Sequence, residues 1–353
     1  MGEILGVGLT HYPGLVVKDE QMCGALKKTL RDPGLPEQYR DPKSWPAQMQ
    51  AEWSDDQGTA AATQHRKDLL EQFKTARAAI DDFKPDFVLI WGDDQYENFQ
   101  EDCVPAFCVL AYDKHEAAPF HDLGFLGNNV WDLPVDTAFS FEGHKAGGKY
   151  LATGLLEQGF DVAYAYKPLH HGLGHAFLNA ALFMDYDNQG SKWKHPLLPV
   201  QVNDYGRRVI AQKAGLPDLA NPIPEGELDP PSPMPWRCFD LGAATARALK
   251  NSPWRVALVA SSSWSHAFLT TKNHWIYPDV EADRRLYDAL VAGDYQSWRN
   301  TPLDSLEESG QQELMNWFCL VGAMDELGRK PDEHDLIQTY IFNSSKCFAI
   351  FRP

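Results

Sequence analysis

Four places in the sequence set side chains capable of chemistry directly behind apolar runs. "GLTHYPG" places His11 just past "EILGVGLT" (3–10). "LIWGDDQYENF" places Asp93, Asp94, Gln95, Glu97 and Asn98 after the run from Phe87 to Trp91. "PLHHGLGH" (168–175) carries His170, His171 and His175, and "SSSWSH" (261–266) ends in His266, with Glu281 opening a later helix. Singly, each is weak. A histidine behind a strand is more often a hydrogen-bonded structural residue than a ligand, and an acidic residue at a helix start commonly answers the helix dipole. The collection says more, because imidazole, amide and carboxylate at successive strand ends converge if those strands are neighbours. A His/carboxylate set with open positions suits non-haem Fe(II) and oxygen chemistry, or zinc hydrolysis. The sequence has no Gly-rich phosphate loop, no HExxH, no GxSxG and no Cys/His zinc ribbon. Nucleotide-binding, serine-hydrolase and structural-zinc readings are thereby demoted.

Positioning such residues requires a frame. Residues 3–10, 86–92, 107–112, 161–166 and 254–262 read as buried strands, and 62–81, 144–159, 279–294 and 309–327 as helices. In the first of these helices Leu69, Phe73, Ala76 and Ile80 recur at helical spacing. Strands alternating with helices predict an α/β fold, a single domain with a central, mostly buried β-sheet flanked by helices. Ligands of such sheets bind at the carboxyl ends of strands, here those of 3–10, 86–92, 161–166 and 254–260. Two stretches read as insertions, 19–60 and 190–240, the latter holding the proline-rich "GLPDLANPIPEGELDPPSPMPW".

The 353 residues are enough for a substantial core. A net charge of −17 argues against nucleic acid and anionic membrane surfaces, which need a basic face. The six cysteines form no CxxC pair, and several sit inside apolar runs as expected of reduced, buried thiols. The N-terminus lacks a basic signal-peptide region, and no apolar stretch approaches membrane-spanning length. The expectation is a cytoplasmic protein.

The ordered segments "GLTHYPG", "KPDFVLIWGDDQYENF", "KPLHHG", "VALVASSSWSH", "EADRRLYDALVAGD" and "SGQQELMNWFCLVGAM" together resemble the class III extradiol ring-cleavage dioxygenases. These are proteins similar to the protocatechuate 4,5-dioxygenase β subunit, and the match touches most of the chain outside 19–60 and 190–240. The resemblance implies Fe(II) held by His11 and by Glu281, which matches the family's helix-opening glutamate. Where the family closes an Asp-His pair with its second histidine ligand, this sequence has Asp94-Gln95. Gln95 thus stands at a ligand position with a neutral amide, and another divalent metal becomes an alternative to iron. Asp93 and Asp94 stand ready to orient Gln95 or to replace it. His171 matches the family's acid/base histidine, with His170 in place of the preceding aspartate and His175 as second candidate. His266 falls in the family's pocket turn, and Asp94 and Gln311 are further substrate-binding candidates. The implied reaction is extradiol cleavage of a catechol-like or dihydroxypyridine/hydroxypyridone-like ring by O2, in a homo-oligomer, dimer or larger. Non-redox hydrolase or lyase chemistry on the same fold, and a silent aromatic-binding subunit, stay open as alternatives.

Overall fold

The computed structural model describes residues 2–353. Its strands are β1 (Ile4–Leu9), β2 (Phe87–Asp93), β3 (Phe107–Leu110), β4 (Lys114–Ala117), β5 (Phe139–Glu142), β6 (Ala163–Ala165), β7 (Leu197–Val202), β8 (Val256–Ser261), β9 (Glu333–Ile337) and β10 (Lys346–Phe351). Eight of them form one mixed sheet in the order β6-β3-β7-β2-β8-β1-β10-β9, while β4 and β5 pair separately. The expected α/β architecture is present as a single compact domain with helices on both faces. The four central strands β7, β2, β8 and β1 run parallel and are buried along their whole length. That explains why they read as continuous apolar runs and not as alternating ones.

Side chains still alternate between two core layers, as the pleat requires. Phe87, Leu89 and Trp91 of β2 face the helices Pro235–Lys250 and Met315–Glu326. Val88 and Ile90 face the helices Thr59–Phe83 and His175–Met184. The stripe Leu69, Phe73, Ala76 and Ile80 is buried as its spacing predicts. In the first layer the two helices touch backbone to backbone. A Cβ on Gly242 would lie 1.7 Å from the Cys319 carbonyl oxygen, and one on Gly322 1.9 Å from that of Phe239. Only glycine permits this approach.

The stretch 190–240 is not simply an insertion. It contains β7, which pairs with both β2 and β3 at the centre of the sheet. Pro199 disguises the strand, since proline reads as a strand breaker. It is accommodated opposite Ile90, where the ladder to β3 stops at Val200. Residues 203–234 then run as irregular chain and short helices before Pro235 starts the next long helix. All six cysteines are unpaired, and only Cys103 is exposed. Among the described residues no helix is long and apolar enough to cross a membrane.

Candidate metal centre and active site

Because β1 and β2 both pair parallel with β8, their carboxyl ends emerge at the same edge of the sheet, on either side of β8. Asp93 is the last residue of β2, and His11 lies two positions past β1. The His11 Nδ1 sits 3.0 Å from the Ser261 carbonyl oxygen and 3.2 Å from the Ser261 hydroxyl. An N–H donated to that carbonyl leaves Nε2 as the electron-pair donor. Burial, the largest effect, pulls the His11 pKa down to about 4, with His175 and His266 adding to it against Glu313. The ring is therefore neutral, with Nε2 turned toward Asp93 Oδ1 at 3.6 Å and Glu313 Oε2 at 3.4 Å. Asp93 is fully buried, and neither carboxylate oxygen has a hydrogen-bond partner among the described residues. Burial and then the Glu313 charge push its pKa well up. A carboxylate in that position is incomplete without a cation.

The third member arrives from the far edge of the sheet. The chain leaving β6 is pinned by Asn98, whose side-chain oxygen accepts the N–H groups of Leu169 and His170 at 2.7 and 3.2 Å. It then enters the helix His175–Met184, whose first N–H is donated to Glu97 Oε1 at 2.9 Å. Glu97 Oε2 lies 3.1 Å from His175 Nδ1, leaving Nε2 directed at Asp93 Oδ2, 3.9 Å away. Burial opposes charge on this ring, but the Glu97 charge and hydrogen bond, with Asp93 and Glu313, outweigh it and raise the pKa to about 10. Ligand atoms of His11, Asp93 and His175 all lie within 4.8 Å of one another.

The second carboxylate is Glu313, in the turn Gln312–Leu314 ahead of the helix Met315–Glu326. Its Oε2 accepts the Ser263 N–H at 3.2 Å, and its Oε1 lies 3.0 Å from His266 Nε2 and accepts the Tyr205 hydroxyl. Burial pushes its pKa up, but His266 and His11 outweigh that and hold it at about 2. The His11–Asp93 and His175–Asp93 separations of 3.6 and 3.9 Å, with all three donors within 4.8 Å of one another, are compatible with bonds of about 2.0–2.2 Å to one divalent ion. Glu313 Oε2 lies beside them, 3.4 Å from His11 Nε2. The donor set therefore fits a metal.

Not every residue expected at the site is there. Glu281 is exposed on the first turn of the helix Val280–Ala292. That helix buries Ala282, Asp283, Leu286 and Leu290, so position 281 falls on the opposite face. Asp283 turns inward instead, its Oδ1 accepting from the Ser265 N–H at 3.0 Å and from Gln311 Nε2 at 2.7 Å. Gln311 is thus engaged by Asp283. Gln95 is held through its Nε2, which donates to the Ala214 carbonyl at 3.3 Å, and among the described residues no side-chain hydrogen bond joins it to His11 or Asp93. The Asp94 carboxylate accepts the N–H groups of Glu97, Asn98 and Phe99 at 3.0–3.2 Å, folding a tight turn with Tyr96 at φ 58°. Asp94 shapes the loop. His170 pairs with Asp102 at 2.9 Å. His171 is half-buried and within electrostatic reach of Glu97, and His266 is buried against Glu313. Glu313 and Tyr205 were not singled out from the sequence, although "GQQELMNW" contained the first, and Glu97 stood out only as one of its loop's polar residues.

Two imidazoles and a carboxylate at the carboxyl edge of a parallel sheet make a candidate His/carboxylate metal site in an α/β protein. No family model matches the chain. Curated relatives do. A 2,3-dihydroxyphenylpropionate/2,3-dihydroxicinnamic acid 1,2-dioxygenase from Rhodococcus jostii (strain RHA1) is 24% identical over 289 residues, 74% of this chain and 83% of the relative. A second protein of that name, from Pseudomonas putida, is 27% identical over 249 residues, 69% of this chain and 60% of the relative. A gallate dioxygenase from Pseudomonas putida is 25% identical over 203 residues, 56% of this chain and 49% of the relative. These similarities bear out the resemblance to the extradiol dioxygenases.

Proposed function

We propose that the chain is a non-haem iron dioxygenase that opens a catechol-like ring next to its two hydroxyl groups. One observation carries the reading: His11, Asp93 and His175 bring ligand atoms within 4.8 Å of one another at the sheet edge, with Glu313 beside His11, in a chain whose curated relatives bear dioxygenase names. His11, His175 and one or both carboxylates would hold the metal. When bound, Fe(II) would supply a shared centre for a chelating diol and O2.

The chain's own residues do the rest. Ser261 and Glu97 lock the two imidazole rings from behind, so that Nε2 of each faces the metal position. Burial keeps His11 neutral and excludes water from the carboxylates. His171, on the loop leading to His175, is left to take a proton from the substrate hydroxyl and return it, a task suited to imidazole near neutral pH.

The test is oxygen uptake by protein loaded anaerobically with Fe(II), screened over catechols and hydroxypyridones. Use of ¹⁸O2 is expected to give a ring-opened product carrying both labelled atoms. Products without label, or metal-dependent turnover in the absence of oxygen, would exclude the proposal. His171→Ala is expected to retain metal while turnover falls about 10²-fold; loss of metal instead would make His171 a ligand.

A further inference from the structure

We infer that residues 205–223 and 268–275 build a chamber for the substituent carried by the substrate's ring, and that this substituent is uncharged and apolar. The inference rests on the dioxygenase reading for the identity of the ring, while the chamber itself stands on geometry. A cavity of about 290 Å³ lies between these segments, at the small end of sites that take organic ligands. Its floor is apolar, made by Val209, Phe268 and Leu269 packed together, with Ile223 and Trp275 on the walls.

Three features tie it to the metal group. Tyr205 lines it and donates its hydroxyl to Glu313. The Phe268 ring stands edge-on to His266 at 5.5 Å between centroids. Gln312, next to Glu313, also lines it, and its buried side-chain oxygen has no hydrogen-bond partner among the described residues. That unmet acceptor suits a hydroxyl hydrogen on a bound ring.

Charge at the outer end decides the substituent. Arg207 and Arg208 are both on the wall, but Arg207 Nε is 3.2 Å from Glu307 and Arg208 is paired with Glu225. Asp218 and Glu307 line the same cavity. A carboxylate arm entering it adds a like charge to Asp218 and Glu307 and must compete with Glu307 and Glu225 for the two guanidiniums, so it trades hydration for contested partners. A short alkyl arm loses nothing and buries apolar surface. The relatives' name specifies a carboxylated arm, 2,3-dihydroxyphenylpropionate, and this chamber is built against it.

Calorimetric titration of anaerobic, Fe(II)-loaded protein tests this with catechol, 3-propylcatechol and 3-(2-carboxyethyl)catechol. The propyl compound is expected to bind at least about tenfold tighter than the carboxyethyl compound. Ile223→Trp, on a surface loop, fills the chamber and should cut the propyl-to-catechol affinity ratio about tenfold. Ile223→Arg supplies an unpaired cation and should raise carboxyethyl binding by a similar factor. Tighter carboxyethyl binding in the unmodified protein, an unchanged ratio in Ile223→Trp, or no binding of any of the three overturns the inference. Chamber binding without ring cleavage leaves it standing and removes the dioxygenase reading instead.

Discussion

Asp93, Asp94 and Gln95 stand side by side in the sequence, and the fold gives each a different environment. Asp93 ends its strand pointing into a dry site, Asp94 turns back to hold three N–H groups, and Gln95 donates to the Ala214 carbonyl. Removing Gln95 should therefore not touch the metal. Gln95→Ala is expected to leave Fe(II) affinity within about twofold, whereas Asp93→Asn, which replaces a buried charge by an amide, should lower it by far more; equal losses would return Gln95 to the site. Glu97 is the opposite case, since it reaches the metal position only through His175, by the helix N–H and by the ring. Carboxylates that orient ligand imidazoles typically contribute 10–100-fold in metal affinity. Glu97→Gln is expected to lose that amount, read by competition with a metal-sensitive dye, while its circular dichroism stays native. Unaltered affinity would show that the helix alone sets the ring.

The elements that matter most for the site are also the most tightly fitted. The helix Met315–Glu326 has Glu313 just ahead of it and packs against both the sheet and the helix Pro235–Lys250. Its contact with that second helix depends on Gly242 and Gly322, where a methyl group has no room. Overpacking of this kind costs about 1–3 kcal/mol. Gly322→Ala is expected to fall at the upper end in a denaturant titration and, by shifting the turn before the helix, to weaken metal binding as well. Normal metal affinity in a destabilised Gly322→Ala would show that the turn is held by Ser263, Tyr205 and His266 and not by the helix behind it.

At the scale of the molecule, acidic groups inside the core make stability depend on pH. Asp283 is fully buried, and burial raises its pKa from 3.8 to about 6 against the hydrogen bonds from Gln311 and Ser265. The folded state therefore holds that proton more tightly than the unfolded chain. The resulting stability is complete below about pH 3.8 and is lost as pH rises through about 6, by an amount on the order of 2–3 kcal/mol. Asp283→Asn keeps an acceptor for both donors and carries no charge. Its unfolding free energy should fall less than that of the unmodified protein between pH 4 and pH 7. Parallel curves for the two proteins would mean that other groups govern the transition.

Much of this was legible in the residues. The buried strands are long apolar runs, so β1, β2 and β8 and the helices around them follow from hydrophobic pattern, and His11 follows from standing at the end of the first. The resemblance to a dioxygenase family rests on the same segments. The central strand β7 was hidden by Pro199, because local propensity argues against a strand that its neighbours nonetheless pair with. Which carboxylate faces His11 was not legible at all. Glu281 and Asp283 are separated by about 200° around a helix, so a small phase difference decides which one turns inward, and neither reaches the metal group. Glu313 meets His11 from the other end of the chain, and nothing local in "QQEL" distinguishes that glutamate from its exposed counterparts. Composition and periodicity act over a few residues and set which segments are buried. The choice of ligands depends on side-chain directions at contacts distant in sequence, and those exist only once the sheet has brought its strand ends together.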